Sequence, residues 1–180
     1  MLPPGHIAGG YLVAFAFLKI VNPGFDQSQI NQFLLWGMFF GFVPDLDMFV
    51  TFGASKSFTI TSKYNHRKFF THVPVVWLIA GLLVYILSTN PFQRSIGLLI
   101  WLASWSHFLF DSLQYGIRWL YPFSKKLYSV RDTGVEMDIQ EKEFFVYWIV
   151  FLKKYAQRFK LTCYSELGVI ALALIIFFTK

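Results

Sequence analysis

The sequence predicts an all-α, polytopic membrane bundle of about five transmembrane helices and one interfacial amphipathic helix. Three observations carry this expectation. Of the 180 residues, 56% are hydrophobic and only 14% charged, against about 25% charged in a soluble domain. The mean hydropathy is +0.49. The apolar residues also fall in blocks rather than at the scattered positions of an oily soluble core.

The blocks follow in order. Ile7 to Val21, Gln32 to Phe52, Val73 to Ser88 and Ser95 to Leu113 are the first four. Each approaches the length needed to cross a hydrocarbon core about 30 Å thick. Leu167 to Phe178 is the fifth, extensible back to Leu161 with Glu166 inside it. Asn22-Pro23-Gly24 and Asn90-Pro91 supply turn chemistry between them. Phe144 to Leu152 is too short to span. In 141–160, Phe144, Trp148, Leu152, Tyr155 and Phe159 recur at helical spacing among Lys153, Lys154, Arg158 and Lys160. This pattern suits a basic helix lying in the membrane interface; a tilted helix within the bundle is the alternative. Ser55 to Lys68 and Tyr115 to Glu143 read as polar connections. The whole chain forms one membrane domain, with residues 1–125 as the helical core and 126–180 as the interfacial helix and last span. The first apolar stretch has no basic residue before it and no convincing small-residue cleavage site, so it reads as a retained helix.

Charge orients the bundle. With a cytoplasmic N-terminus and four alternating helices, segments 53–72 and 114–164 face the cytoplasm. They carry all the basic residues except Lys19, Arg94 and Lys180. The positive-inside rule favours this orientation, although a spanning 144–152 would weaken the bias. The net charge of +6 therefore points to topology and membrane lipids, and no nucleic acid is expected.

The same alternation gathers the chemistry. His6 begins the first helix, Pro44-Asp45-Leu46-Asp47 ends the second, Asn65-His66-Arg67 and Thr71-His72 precede the third, and His107 and Asp111 close the fourth. All of these positions lie at one end of the bundle. His107 and Asp111, four apart, share a helix face and can bind one ion or neighbouring ions. Asp45 and Asp47, two apart, diverge on a regular helix unless Pro44 disturbs the turn. Alternatively one ligates metal while the other orients a ligand or takes a proton. The single cysteine, Cys163, excludes both an internal disulfide and a thiolate zinc site. Taken singly, these residues suit caps, structural hydrogen bonds or solvated loops. Together they suit a metal site, because ionisable groups at a membrane are costly and functional by default. Arg67 is a candidate phosphate clamp or a cytoplasmic retention charge.

His near the N-terminus, Pro-Asp-x-Asp, His-Arg-x-x-x-Thr-His and Ser-His-x-x-x-Asp, in this order, resemble the YdjM-type membrane-bound, predicted metal-dependent hydrolases. Gly116 to Pro122 followed by Phe123-Ser124 resembles the family's segment after the fourth helix, so the likeness covers about residues 1–125. The resemblance implies distant similarity to zinc-dependent phospholipase C and related zinc nucleases, and hence phosphoester hydrolysis. It places His6, Asp45, His66, His72, His107 and Asp111 at metal-ligand positions, with zinc the expected ion, and Asp47 at the motif's second acid. Where the family pattern leads us to expect Ser after Thr71-His72, this chain has Val73-Pro74.

These readings combine into an inner-membrane hydrolase of a bacterial or archaeal cell. One or more divalent ions would acidify water and polarise a phosphoryl group. Asp47 would accept a proton and Arg67 would contact phosphate. The location suggests a phospholipid or lipid-linked substrate at the cytoplasmic face. A structural metal site and a metal-ion transporter are the competing readings; a transporter places its ionisable groups nearer the membrane midplane.

Overall fold

The computed structural model describes residues 2–55, 66–114, 116–130 and 143–179. Seven α-helices occur among them: α1 Pro3–Val21, α2 Gln27–Phe42, α3 Asp47–Ser55, α4 Pro74–Leu87, α5 Pro91–Asp111, α6 Phe144–Arg158 and α7 Lys160–Thr179. Three 3-10 turns, Val43–Leu46, His66–Lys68 and Phe70–His72, join α2 to α3 and lead into α4. The only β pairing among the described residues is one isolated bridge, Ile117 to Tyr128.

Local chemistry sets the ends. Prolines at the first turns of α1, α4 and α5 begin those helices where a missing N–H costs nothing. Asp26 caps α2 by accepting from Gln29 N–H at 2.8 Å, while the Gln29 side chain accepts from Asp26 N–H at 3.2 Å. This capping box starts α2 five residues before the apolar block at Gln32. The Asp26-x-x-Gln29 pattern was the available signal. The block itself is not one helix: it breaks into the 3-10 turn at Val43-Pro44 and resumes as α3.

Among the described residues, three helical stretches are long and apolar enough to cross a membrane: Pro3–Val21, Gln27–Val50 and Lys160–Thr179. Helix α4 is apolar but has 14 residues. Helix α5 is 21 residues long and carries Gln93, Arg94, His107 and Asp111 among its apolar residues.

Helix α1 packs on α2, α5 and α7, and α4 packs on α5. Glycine lets the backbones meet. A Cβ on Gly10 would lie 2.0 Å from the Gly37 carbonyl oxygen, and one on Gly41 would lie 2.5 Å from that of His6. A Cβ on Gly81 would come within 2.5 Å of the Gly97 oxygen across α4 and α5. Close small-residue contacts are a principal source of helix association where lipid removes the hydrophobic drive. Ala14, Phe33, Leu99 and Ala103 fill the centre without exposure.

Tyr147 and Tyr155 of α6 are buried with Phe159, which follows the helix, and pack against Leu2 and Cys163, leaving Phe145, Ile149 and Leu152 outward. Glu166 of α7 is buried and partnered: Tyr155 Oη–H donates to Oε2 at 2.8 Å and Leu2 N–H to Oε1 at 3.0 Å. Its carboxylate thus sits at the N-terminus of α1, where the helix dipole favours negative charge. After α5 the chain folds back instead of running on as an open connection. Ile117 and Tyr128 exchange backbone hydrogen bonds of 3.0 and 2.9 Å, and Gly116 turns with φ +79°. Arg118 Nη1 donates to the Lys68 carbonyl at 2.8 Å, tying this segment to the turn before α4. Segments 56–65 and 131–142 lie outside the described residues.

Candidate metal centre

The chain ends of four helices converge. His6 lies in the first turn of α1, Asp45 in the turn after α2, His72 just before α4, and His107 and Asp111 in the last turns of α5. All five are buried. Ligand atoms of Asp45, His72, His107 and Asp111 lie within 4.8 Å of one another. Two imidazole nitrogens and two carboxylate oxygens at that spacing fit a divalent ion.

Each histidine of this tetrad is oriented from behind. His107 Nδ1 donates to the Gly41 carbonyl at 2.9 Å, leaving Nε2 for the cluster. His72 Nδ1 donates to Asp47 Oδ2 at 2.9 Å, and its Nε2 faces Asp45 Oδ1 at 3.4 Å. The Thr71 hydroxyl also donates to Asp47 Oδ2. A hydrogen bond to the far nitrogen of a ligating histidine sets its tautomer and raises its basicity.

Asp45 and Asp47 therefore take different positions. Asp45 sits in the 3-10 turn facing the histidines, whereas Asp47 opens α3 and lies behind His72. Arg67 is buried, and its Nε donates to Asp111 Oδ2 at 2.7 Å. It holds a carboxylate of the cluster and brings a positive charge against it. His66 opens the turn His66–Lys68, and its side chain lies outside the described residues.

His6 stands beside the tetrad. Its ring stacks on His107 with centroids 3.7 Å apart. Its Nε2 is 3.4 Å from Asp111 Oδ1 and 3.8 Å from Asp45 Oδ2. Neither ring nitrogen has a hydrogen bond of good geometry among the described residues. An imidazole buried in that state is costly unless another partner satisfies it.

At His72, burial disfavours the imidazolium, but the carboxylates of Asp45 and Asp47 outweigh it and push the group up to about 9.

A buried His/Asp cluster at one end of a bundle with membrane-length helices defines a helical membrane protein with a potential metal centre. The chain belongs to the YdjM inner membrane protein family, whose model matches residues 1–180. The match extends through α6 and α7, beyond the motifs that ended near residue 125. No curated protein and no solved structure matches the chain.

Proposed function

We propose that the protein is a membrane-bound, metal-dependent hydrolase that cleaves a phosphoester of a lipid or lipid-linked substrate at the cytoplasmic face. The observation carrying this reading is the donor set: buried histidines oriented by Asp47 and the Gly41 carbonyl, beside Asp45 and Asp111. Structural zinc sites are commonly rich in thiolate, whereas hydrolytic sites commonly use imidazole and carboxylate. Zinc is the ion we favour. When bound, it supplies Lewis acidity towards water and a phosphoryl oxygen.

The chain's own groups do the rest. Asp47 acts through His72, keeping Nε2 aimed at the cluster. The Gly41 carbonyl does the same for His107. Arg67 positions Asp111, and its charge beside the cluster attracts the phosphoryl group. Burial of the cluster strengthens each of these interactions relative to bulk water.

The orientation rests on the excess of Lys and Arg in 53–72 and 114–164. It also requires α4 and α5 to cross as a pair, giving five spans with α7. In this arrangement α6 lies in the interface near the site, with Phe145, Ile149 and Leu152 towards lipid. A transporter is disfavoured by the apolar bundle centre at Ala14, Phe33 and Leu99, since its ionisable groups should line the midplane.

Purified protein loaded with zinc is assayed against a panel of phospholipids and phosphodiesters. Turnover lost on chelation and restored by metal is expected. No turnover on any substrate, with metal bound, would favour a structural site.

A further inference from the structure

The carboxylates of Asp45 and Asp111 each face two ways. Asp45 Oδ1 lies 3.4 Å from His72 Nε2 and 3.6 Å from His107 Nε2, while its Oδ2 lies 3.8 Å from His6 Nε2. Asp111 Oδ2 lies 3.9 Å from His107 Nε2, while its Oδ1 lies 3.4 Å from His6 Nε2. Asp45 Oδ1 thus faces His72 and His107, Asp111 Oδ2 faces His107 while also accepting from Arg67 Nε at 2.7 Å, and the other oxygen of each carboxylate faces His6.

We propose that the centre holds two divalent ions. Asp45 Oδ1, Asp111 Oδ2, His72 and His107 take the first. His6 Nε2, Asp45 Oδ2 and Asp111 Oδ1 take the second, so both carboxylates bridge. This rests on the metal-centre reading above and adds a second ion to it.

Three features support the second position. His6 is fully buried, and neither of its ring nitrogens has a well-formed hydrogen bond among the described residues. A cation is a partner that would satisfy Nε2. His6 Nε2 faces Asp45 Oδ2 and Asp111 Oδ1, the carboxylate oxygens turned away from His72 and His107, so a separate ion suits it better than a fifth bond to the first. The stacked His6 and His107 rings are 3.7 Å apart, and bridged ions in two-metal hydrolytic sites lie about 3.5–4 Å apart. Two imidazoles stacked at that spacing, with their planes 23° apart, are compatible with one ion apiece.

The second ion would have three protein ligands, which is the count of a site with room for water or substrate. Charge agrees with the chemistry. Two dications and Arg67 outweigh Asp45, Asp111 and Asp47, leaving a positive surplus that suits an anionic phosphoryl group.

The test uses the full-length protein in detergent, stripped with chelator and titrated with Mn2+. Two ions per chain are expected, with an electron paramagnetic resonance spectrum showing exchange coupling between them. His6→Ala should bind one ion and give an isolated six-line signal. Wild-type protein that binds only one ion, or two ions without coupling, overturns the second site while leaving the metal centre standing. Retention of a coupled pair in His6→Ala overturns the assignment of His6. No bound Mn2+ or Zn2+ in wild type overturns the metal-centre reading itself. If the variant fails to fold, the wild-type stoichiometry and spectrum decide.

Discussion

Asp47 stands behind His72, its Oδ2 accepting the Nδ1–H at 2.9 Å while the other ring nitrogen faces Asp45. The two acids of one Pro-Asp-x-Asp motif thus bracket a single imidazole from opposite sides. This divides the motif into a residue that faces the cluster and a residue that aims it.

Replacing Asp47 by Asn should keep the fold and weaken metal binding about 10- to 100-fold, the usual cost of losing a carboxylate that orients a ligating histidine. Thr71→Val removes only one of the hydrogen bonds to Asp47 and should weaken it less. Competition against a chelator of known affinity reads both. Equal affinity in Asp47→Asn and wild type would refute the orienting role.

Metal binding should depend on pH through His72. Its pKa in the metal-free fold is raised from 6.5 to about 9, so an ion arriving below pH 9 must displace a proton. Calorimetry in buffers of different ionisation enthalpy should show proton release near pH 7.5. Affinity should rise about tenfold per pH unit for one linked proton and level off above about pH 9. The metal-free fold responds in the opposite sense. A raised pKa means that the imidazolium's contribution is complete below about 6.5 and is lost as pH rises through about 9. Thermal unfolding of stripped protein should therefore fall across that window.

Gly41 joins packing to chemistry. A methyl group there would sit 2.5 Å from the His6 carbonyl oxygen and 2.9 Å from Gly10 Cα, and the Gly41 carbonyl receives His107. Gly41→Ala should destabilise the protein by about 1–3 kcal/mol, the usual range for overpacking. Because the shift also moves the His107 partner, metal affinity should drop with it. Gly53→Ala is the control, since a Cβ there meets nothing within 4 Å. Differential scanning fluorimetry with and without Zn2+ distinguishes the two variants.

Glu166 binds the C-terminal helices to the start of α1 through Tyr155 and Leu2. Tyr155→Phe removes one hydrogen bond to a buried carboxylate and should cost about 1.5–3 kcal/mol. Limited proteolysis should then cut more readily around residues 143–160. Unchanged cleavage would show that α6 is held by its aromatic contacts alone.

Much of the architecture was legible because hydrophobic blocks and turn dipeptides are local signals. The apolar runs anticipated α1, α4, α5 and α7, and α1 ends at the turn that Asn-Pro-Gly suggested, with Asn22 in the left-handed conformation. Helix alternation was enough to bring His6, Asp45, His72, His107 and Asp111 to one end. The boundary at Asp26 was less visible because a polar cap is faint within a hydropathy average, whereas Pro44 marked the disturbed turn without showing that a new helix, α3, opens at Asp47. Glu166 looked like an interruption in a span. Its partners lie 11 and 164 residues away along the chain, and spacing along a sequence does not reveal such contacts.

The sequence by itself determined the donor chemistry, imidazole and carboxylate without thiolate, and the end of the bundle where it collects. Both follow from residue type and from the direction reversal at each turn. Only the tertiary structure decided which acid faces the cluster, which carbonyl orients His107, and that His6 stacks beside it. Those outcomes depend on separations of a few ångströms between distant segments. The glycine contact of α1 with α2, and the 3-10 turn that carries Asp45, set those separations.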